Sequence, residues 1–137
     1  MRSACSSVCV YSFKYMSHDD NVPQYYTLFL MLAGGVMGLV LSGDIFNMFI
    51  MVEILTFAAV ALTAFRNTAH GALEAAFKYL VVGCIGSTCI LVGTIMLYAQ
   101  VHTLNFAQLS ALIPGNLNNS TKLAFALLFV GFSTKAF

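Results

Sequence analysis

Residues 45–65 read IFNMFIMVEILTFAAVALTAF, a run of 21 residues in which Glu53 carries the only charge. A helix that crosses the roughly 30 Å hydrocarbon core of a bilayer needs about 20 predominantly apolar residues. The run meets this length, and it lacks the alternation of apolar and polar residues that membrane β-strands show over about ten positions. It therefore predicts a transmembrane helix with an ionisable residue near its middle.

Further apolar runs lie on both sides of this one. The run Tyr25–Leu41 precedes it without a charge, and the run Ala72–Ala99 follows it over 28 residues. A fourth run begins near Lys122 and continues to Phe137, and the first residues are expected to form the end of another helix near Tyr15. We predict an all-α, polytopic bundle of about four membrane helices plus a truncated N-terminal helix. Residues 1–137 are then a single transmembrane domain, interpreted as a fragment of a longer protein.

Composition leads to the same class of protein. Of the 137 residues, 60% are hydrophobic and 8% are charged, and the mean hydropathy is +0.88. Soluble domains average about 25% charged residues, and this chain has too few charges to form a polar surface. Lipid is therefore the expected surrounding. The net charge of +1 gives no electrostatic reason to expect a nucleic-acid partner.

Short-range patterns predict how the helices begin and pack. Gly34 and Gly38 are four residues apart, as are Gly83 and Ser87, a spacing of small residues typical of close contacts between membrane helices. Asp44 follows a short Ser-Gly turn and is expected to cap the N-terminus of the helix after it.

Three ionisable residues lie inside the apolar runs: Glu53, Lys78 and Lys135. A charge near the centre of a membrane helix costs about 2.5–3.5 kcal/mol on insertion scales, so these residues point to function. At 1.5 Å per residue, Glu53 lies about 13 Å and both lysines about 20 Å from the membrane face at which Asp44 lies. The sequence thus predicts that three helices bring buried charges to one central layer.

Such a layer can move protons. A low-dielectric environment disfavours the ammonium form of a lysine, whereas a neighbouring carboxylate favours it. Movement of Glu53 toward or away from a lysine would therefore switch that lysine between holding and releasing a proton. Lys78 has a second interpretation, because Glu74 precedes it by four residues and the two can form a structural pair at the membrane edge.

The sequence gives no sign of a metal or cofactor site. Two of the cysteines lie in an apolar run, and the other two have no His or Cys neighbour at the spacing of metal ligands. No phosphate-binding glycine loop or catalytic triad is present. The histidines fall in predicted loops: His18, His70 and His102.

Several stretches resemble the antiporter-like membrane subunits, a family that includes the proton-pumping subunits of complex I, the D-type subunits of Mrp cation/proton antiporters and the membrane-bound hydrogenase subunits. Residues 41–53, LSGDIFNMFIMVE, resemble the family's glutamate motif, and residues 77–80, FKYL, resemble its next lysine-bearing helix. Residues 97–105 resemble the end of that helix and its loop. Residues 131–137, GFSTKAF, resemble the start of its central lysine motif.

The resemblance implies a segment from the end of helix three to helix seven of a non-catalytic subunit in a prokaryotic plasma membrane. It implies that Glu53 and Lys135 form a pair whose opening and closing drive proton transfer, and that Lys78 lies on a hydrophilic axis through the membrane. The implied partners are other membrane subunits, lipid, protons and Na+, without a cofactor. Two alternatives remain open: an unrelated secondary transporter whose buried charges bind a substrate, and an inactive fragment.

Overall fold

Helices make up most of the residues that the computed structural model describes, which are 2–15, 21–65, 70–113 and 118–136. Within these ranges the one extended pairing is an isolated antiparallel bridge. The predicted all-α class is therefore confirmed. The helices are α1 Arg2–Tyr15, α2 Val22–Leu41, α3 Ile45–Thr63, α4 His70–Val101, α5 Phe106–Leu112 and α6 Asn119–Ala136.

Three of the described helices are long and apolar enough to cross a membrane: Val22–Leu41, Ile45–Thr63 and Gly71–Val101. The sequence predicted about four, but α6, with 18 residues and two lysines, is not among them. At 1.5 Å per residue α3 is about 28 Å long, close to the thickness of the hydrocarbon core. The 32 residues of α4 extend over about 48 Å, so this helix must tilt or project beyond the core.

The helix boundaries differ from the sequence prediction at three starts, and α6 begins at Asn119 instead of near Lys122. Helix α2 begins at Val22 instead of Tyr25, because Pro23 fits the first turn, where its missing N–H is not needed. Helix α4 begins at His70 instead of Ala72, which corrects the prediction that His70 lies in a loop. The other loop histidine before it, His18, lies outside the described residues, as do residues 66–69.

A short helix replaces part of the predicted loop between residues 100 and 120. Asn105 begins α5 as its N-cap, and its Oδ1 accepts a hydrogen bond from the Ala107 N–H at 3.0 Å. Leu109 is the buried residue of α5 and joins the hydrophobic core. Seven residues are too few for a helical period to be recognised in sequence, so the capping asparagine was the available signal.

Helices α3 and α4 lie in the middle of the bundle. Helix α2 packs on α3, α3 on α4, and α4 on α6. Many large apolar side chains remain on the outside, as expected for a chain solvated by lipid or by neighbouring membrane helices. The buried core residues come from α3, α4, α5 and α6: Ile45, Ile90, Leu97, Leu109, Ala124 and Leu128.

Glycines bring the helices close together. A Cβ atom on Gly93 of α4 would lie 2.9 Å from the Ala124 carbonyl oxygen of α6, a separation that real Cβ atoms essentially never show. On α2, Gly35 and Gly38 face α3, whereas Gly34 has open space around it. The predicted contact of α2 therefore forms through Gly35 and Gly38, and Gly34 takes no part in it.

The turn before α3 is tied to the turn before α5. The Ile45 N–H donates to the Leu104 carbonyl at 3.1 Å, and the Phe106 N–H donates to the Gly43 carbonyl at 3.2 Å. The Asp44 carboxylate accepts from the Phe46 N–H at 2.8 Å, which confirms Asp44 as the N-cap of α3. The start of α3, whose N-cap lies nine residues before Glu53, is thus fixed by backbone hydrogen bonds and a side-chain cap.

Candidate functional site

An ion pair joins the third and sixth helices. Lys135 Nζ of α6 lies 3.0 Å from Glu53 Oε1 of α3, although 82 residues separate the two along the chain. The Lys135 side chain is 9% exposed and that of Glu53 is 23% exposed, so the pair is partly buried. Two opposite charges at this distance stabilise each other more strongly here than at a fully hydrated surface.

Thr56 completes the environment of the ammonium group. It lies three residues after Glu53, on the same face of α3, and its Oγ1 accepts a hydrogen bond from Lys135 Nζ at 2.9 Å. Its own hydroxyl proton is donated to the Val52 carbonyl at 2.8 Å. Thr56 therefore acts as an acceptor toward Lys135 and holds the ammonium beside the carboxylate.

Ser87 of α4 contacts the carboxylate from a second helix. Its hydroxyl is hydrogen-bonded to Glu53 Oε1, the same oxygen that accepts from Lys135. The Ser87 hydroxyl also lies 2.8 Å from the Gly83 carbonyl oxygen, one turn earlier in α4. Glu53 is thus held between an ammonium from α6 and a hydroxyl from α4.

Small residues make room for this arrangement. A Cβ on Gly83 would lie 3.0 Å from Thr56 Cγ2 and 3.7 Å from Lys135 Nζ. One turn further along α4, Gly86 faces α6, where a Cβ would collide with Thr134 Oγ1. Thr134 immediately precedes Lys135, so the glycine face of α4 sets how closely the lysine approaches Glu53.

Lys78 is placed differently from the other two predicted site residues. Its Nζ donates to Glu74 Oε1 at 2.6 Å, and the two side chains are 72% and 68% exposed. The rotation of α4 directs the Lys78 side chain outward, so it does not join Glu53 and Lys135, and its place in the predicted central layer of charges stays a prediction. The structure brings Glu53 and Lys135 together and pairs Lys78 with the alternative partner on its own helix.

A groove nevertheless links the lysine-bearing faces of α4 and α6. It has a volume of about 510 Å³ and is lined by Lys78, Tyr79 and Val82 of α4 and by Ser133 and Thr134 of α6. The two hydroxyl residues directly precede Lys135 in sequence. Lys78 therefore shares a cavity with the neighbours of the ion pair without touching the pair.

Sequence reasoning missed the two hydroxyl residues of the site. Thr56 could have been found from its position three residues after Glu53, since residues at that spacing share a helix face. Ser87 was interpreted as a packing residue because of its spacing from Gly83. Its contact with Glu53 bridges 34 residues and two helices, and no local pattern indicates it.

The sequence of this chain is similar to those of several known proteins. Residues 42–137 match the family described as NADH:quinone oxidoreductase/Mrp antiporter, TM. The NADH-quinone oxidoreductase subunit N of Desulforudis audaxviator is 37% identical over 106 residues, which cover 77% of this chain and 21% of that protein. A protein of Staphylococcus epidermidis, an antiporter subunit by name (mnhD2), is 39% identical over 111 residues, which cover 80% of this chain and 22% of that protein.

A solved structure shows the same fold. The matching chain belongs to the membrane-bound sulfane sulfur reductase, an archaeal respiratory membrane complex, and has a TM-score of 0.81 at 38% sequence identity. The match covers 85% of this chain and 24% of that one. The chain thus spans about a fifth to a quarter of the length of the proteins that it matches.

Proposed function

Because this chain belongs to the NADH:quinone oxidoreductase/Mrp antiporter family of transmembrane subunits, we propose that it serves proton or cation/proton translocation in a multisubunit membrane complex. The observation that carries the proposal is the hydrogen-bonded ion pair of Lys135 with Glu53 at 3.0 Å. Family membership removes the alternative of an unrelated transporter. The alternative of an inactive fragment is addressed by the experiment below.

The pair provides a two-state proton carrier. When closed, the carboxylate of Glu53 and the oxygen of Thr56 both stabilise the ammonium of Lys135, which keeps its proton. When the pair opens, the ammonium loses both partners in a low-dielectric environment, and release of the proton becomes favourable. The carboxylate, now without its counter-ion, takes up a proton from the path that opens toward it.

Lys78 is proposed as the next proton-binding residue along the membrane. Its groove is shared with Ser133 and Thr134, whose hydroxyls can donate and accept hydrogen bonds beside Lys135. Transfer in this direction requires Lys78 to leave Glu74, and an exposed pair of this kind is held by only about 0.2–1 kcal/mol. The weak hold on Lys78 is compatible with a residue that must exchange partners.

The proposed partners follow from the relatives. These are by name subunits of an NADH-quinone oxidoreductase and of an antiporter, and the solved relative lies in a respiratory membrane complex. The exposed apolar faces of α2 and α4 offer surfaces to lipid and to neighbouring membrane subunits. We propose protons as the transported ion, with Na+ as the ion exchanged if the parent complex is an antiporter.

The test uses Glu53→Gln and Lys135→Ala in membrane vesicles that contain the chain with its native partners. Proton translocation, followed with a pH-sensitive dye, is expected to fall at least tenfold in both variants while the amount of assembled protein stays the same. Lys122→Ala is a matched control, because Lys122 is an exposed lysine near the start of the same helix as Lys135. Wild-type translocation in both site variants would overturn the proposal.

A further inference from the structure

The hydroxyl group of Ser87 has two acceptors but only one proton to donate. The Gly83 carbonyl oxygen lies 2.8 Å away, and Glu53 Oε1 is also within hydrogen-bonding distance. A bond to the carbonyl four residues earlier is the usual arrangement for Ser and Thr in a helix. Thr94, two turns further along α4, makes this bond to Ile90 at 2.8 Å. Ser87 differs in having a carboxylate as its second acceptor.

Thr56 contacts the other partner of the pair, Lys135, in the hydrogen bonds of the described residues. The Thr56 hydroxyl donates its proton to the Val52 carbonyl, and its oxygen accepts from Lys135. Thr56 therefore stabilises only the ammonium group. Ser87 can change its role because a hydroxyl oxygen accepts hydrogen bonds as well as donating one. A protonated Glu53 has an O–H to donate, and the Ser87 oxygen is beside it.

We propose that Ser87 is a positioning residue that stabilises Glu53 in both of its protonation states. With Glu53 ionised and paired to Lys135, the Ser87 hydroxyl donates to the carboxylate. When Lys135 moves away and Glu53 takes up a proton, the Glu53 O–H donates to Ser87, and the Ser87 hydroxyl turns to the Gly83 carbonyl. In each of the two states, the Glu53 carboxyl group, the Ser87 hydroxyl and the Gly83 carbonyl all have a hydrogen-bond partner.

With Ser87 in this role, opening the ion pair costs less free energy. A buried acid without a hydrogen-bond partner is strongly disfavoured, and a buried hydroxyl without an acceptor is disfavoured as well. Among the described residues, the groups hydrogen-bonded around the pair are Lys135 of α6, Thr56 of α3 and Ser87 of α4. Once Lys135 leaves, Ser87 is the member of this set that still touches Glu53.

The inference rests on the proposed function and is tested in the purified membrane assembly that contains the chain. Infrared difference spectra between acidic and neutral media report the C=O stretch of protonated carboxyl groups. The band of Glu53 is the one lost in Glu53→Gln. In Ser87→Ala this band is expected to move to higher wavenumber, because the acid has lost a hydrogen-bond partner, and translocation is expected to slow about tenfold.

Two further variants keep the test specific. Thr94→Val removes a hydroxyl from the same helix at a site that is also buried, with 2% exposure against 9% for Ser87, and is expected to leave both the band and translocation unchanged. Ser87→Cys keeps a weak donor and acceptor and should give an intermediate band position. This variant decides the question if Ser87→Ala does not assemble.

The outcomes separate the two proposals. A Glu53 band that stays at its wild-type wavenumber in the Ser87 variants overturns the role of Ser87, whatever happens to translocation. A wild-type spectrum without any Glu53 band overturns the proposed function itself, since Glu53 would then never take up a proton.

Discussion

Gly131 of α6 lies directly against Gly86 of α4: a Cβ on Gly131 would be 2.8 Å from the Gly86 carbonyl oxygen and 2.9 Å from the Ile90 backbone nitrogen. Backbone atoms in the middle of a helix cannot move aside as a flexible side chain can. The two helices therefore approach this closely only with glycine at position 131. Because Lys135 follows one helical turn later, this contact also sets the reach of its ammonium toward Glu53.

Gly131→Ala is expected to destabilise the helix pair by about 1–3 kcal/mol, the usual cost of overpacking a close contact. It should also reduce translocation, because α6 must move away from α4 and takes Lys135 with it. Thermal unfolding in detergent and dye-based translocation measure the two effects. Gly34→Ala is the matched control, since nothing lies within 4 Å of a Cβ at that position. Equal behaviour of the two alanine variants would contradict the role of the contact.

Substitutions at the ion pair are expected to change stability and translocation in different ways. Glu53→Gln or Lys135→Met alone leaves the other charge partly buried without its partner, which should cost about 1.5–3 kcal/mol. The double variant removes both charges and is expected to recover most of this loss, because no unpaired charge remains. Translocation should stay at least tenfold below the wild-type level in all three. A double variant less stable than either single one would show that the pair contributes through something other than mutual neutralisation.

The sequence predicted the long helices well because the length of an apolar run indicates the length of the membrane helix that it forms. It also pointed to Glu53 and Lys135 as candidates, since a charge in such a run is conspicuous without any knowledge of its partner; the structure places the two in contact, and their role in transport stays a proposal. The direction of a side chain around its helix is harder to predict. Depth estimates put Lys78 near the other two charges, yet α4 turns it outward to Glu74, the partner that the i,i+4 spacing had also suggested.

The rest of the site depends on contacts between distant segments. Ser87 looked like a packing residue beside Gly83, and both of these residues proved to line the ion pair. A hydroxyl in an apolar helix satisfies itself through its own backbone, so its sequence context does not reveal a second partner. The tie between the turns before α3 and α5 is likewise made by backbone groups, which any sequence would supply.

The Glu74–Lys78 pair should matter little for stability. Both side chains are mostly exposed, and exposed pairs at this spacing contribute about 0.3–0.5 kcal/mol. A double-mutant cycle with Glu74→Ala and Lys78→Ala, followed by thermal unfolding, is expected to give a coupling energy in that range. If Lys78 is a station for protons, Lys78→Ala should slow translocation while Glu74→Ala should not. Equal loss in both variants would assign the effect to the pair instead of the lysine.

The cap of α3 connects the membrane face to the ion pair nine residues deeper. The Asp44 carboxylate satisfies the Phe46 N–H at 2.8 Å, and the adjacent backbone groups are held by the turn before α5. Asp44→Ala removes the side-chain acceptor and is expected to cost about 1 kcal/mol of stability, whereas Asp44→Asn keeps an acceptor of the same length and should cost much less. Since the backbone hydrogen bonds with Leu104 and Gly43 remain in both variants, translocation should fall only slightly. Thermal unfolding and vesicle assays on the two variants measure these effects. An asparagine variant as unstable as the alanine variant would mean that the negative charge at the helix N-terminus, and not the capping hydrogen bond, stabilises the start of α3.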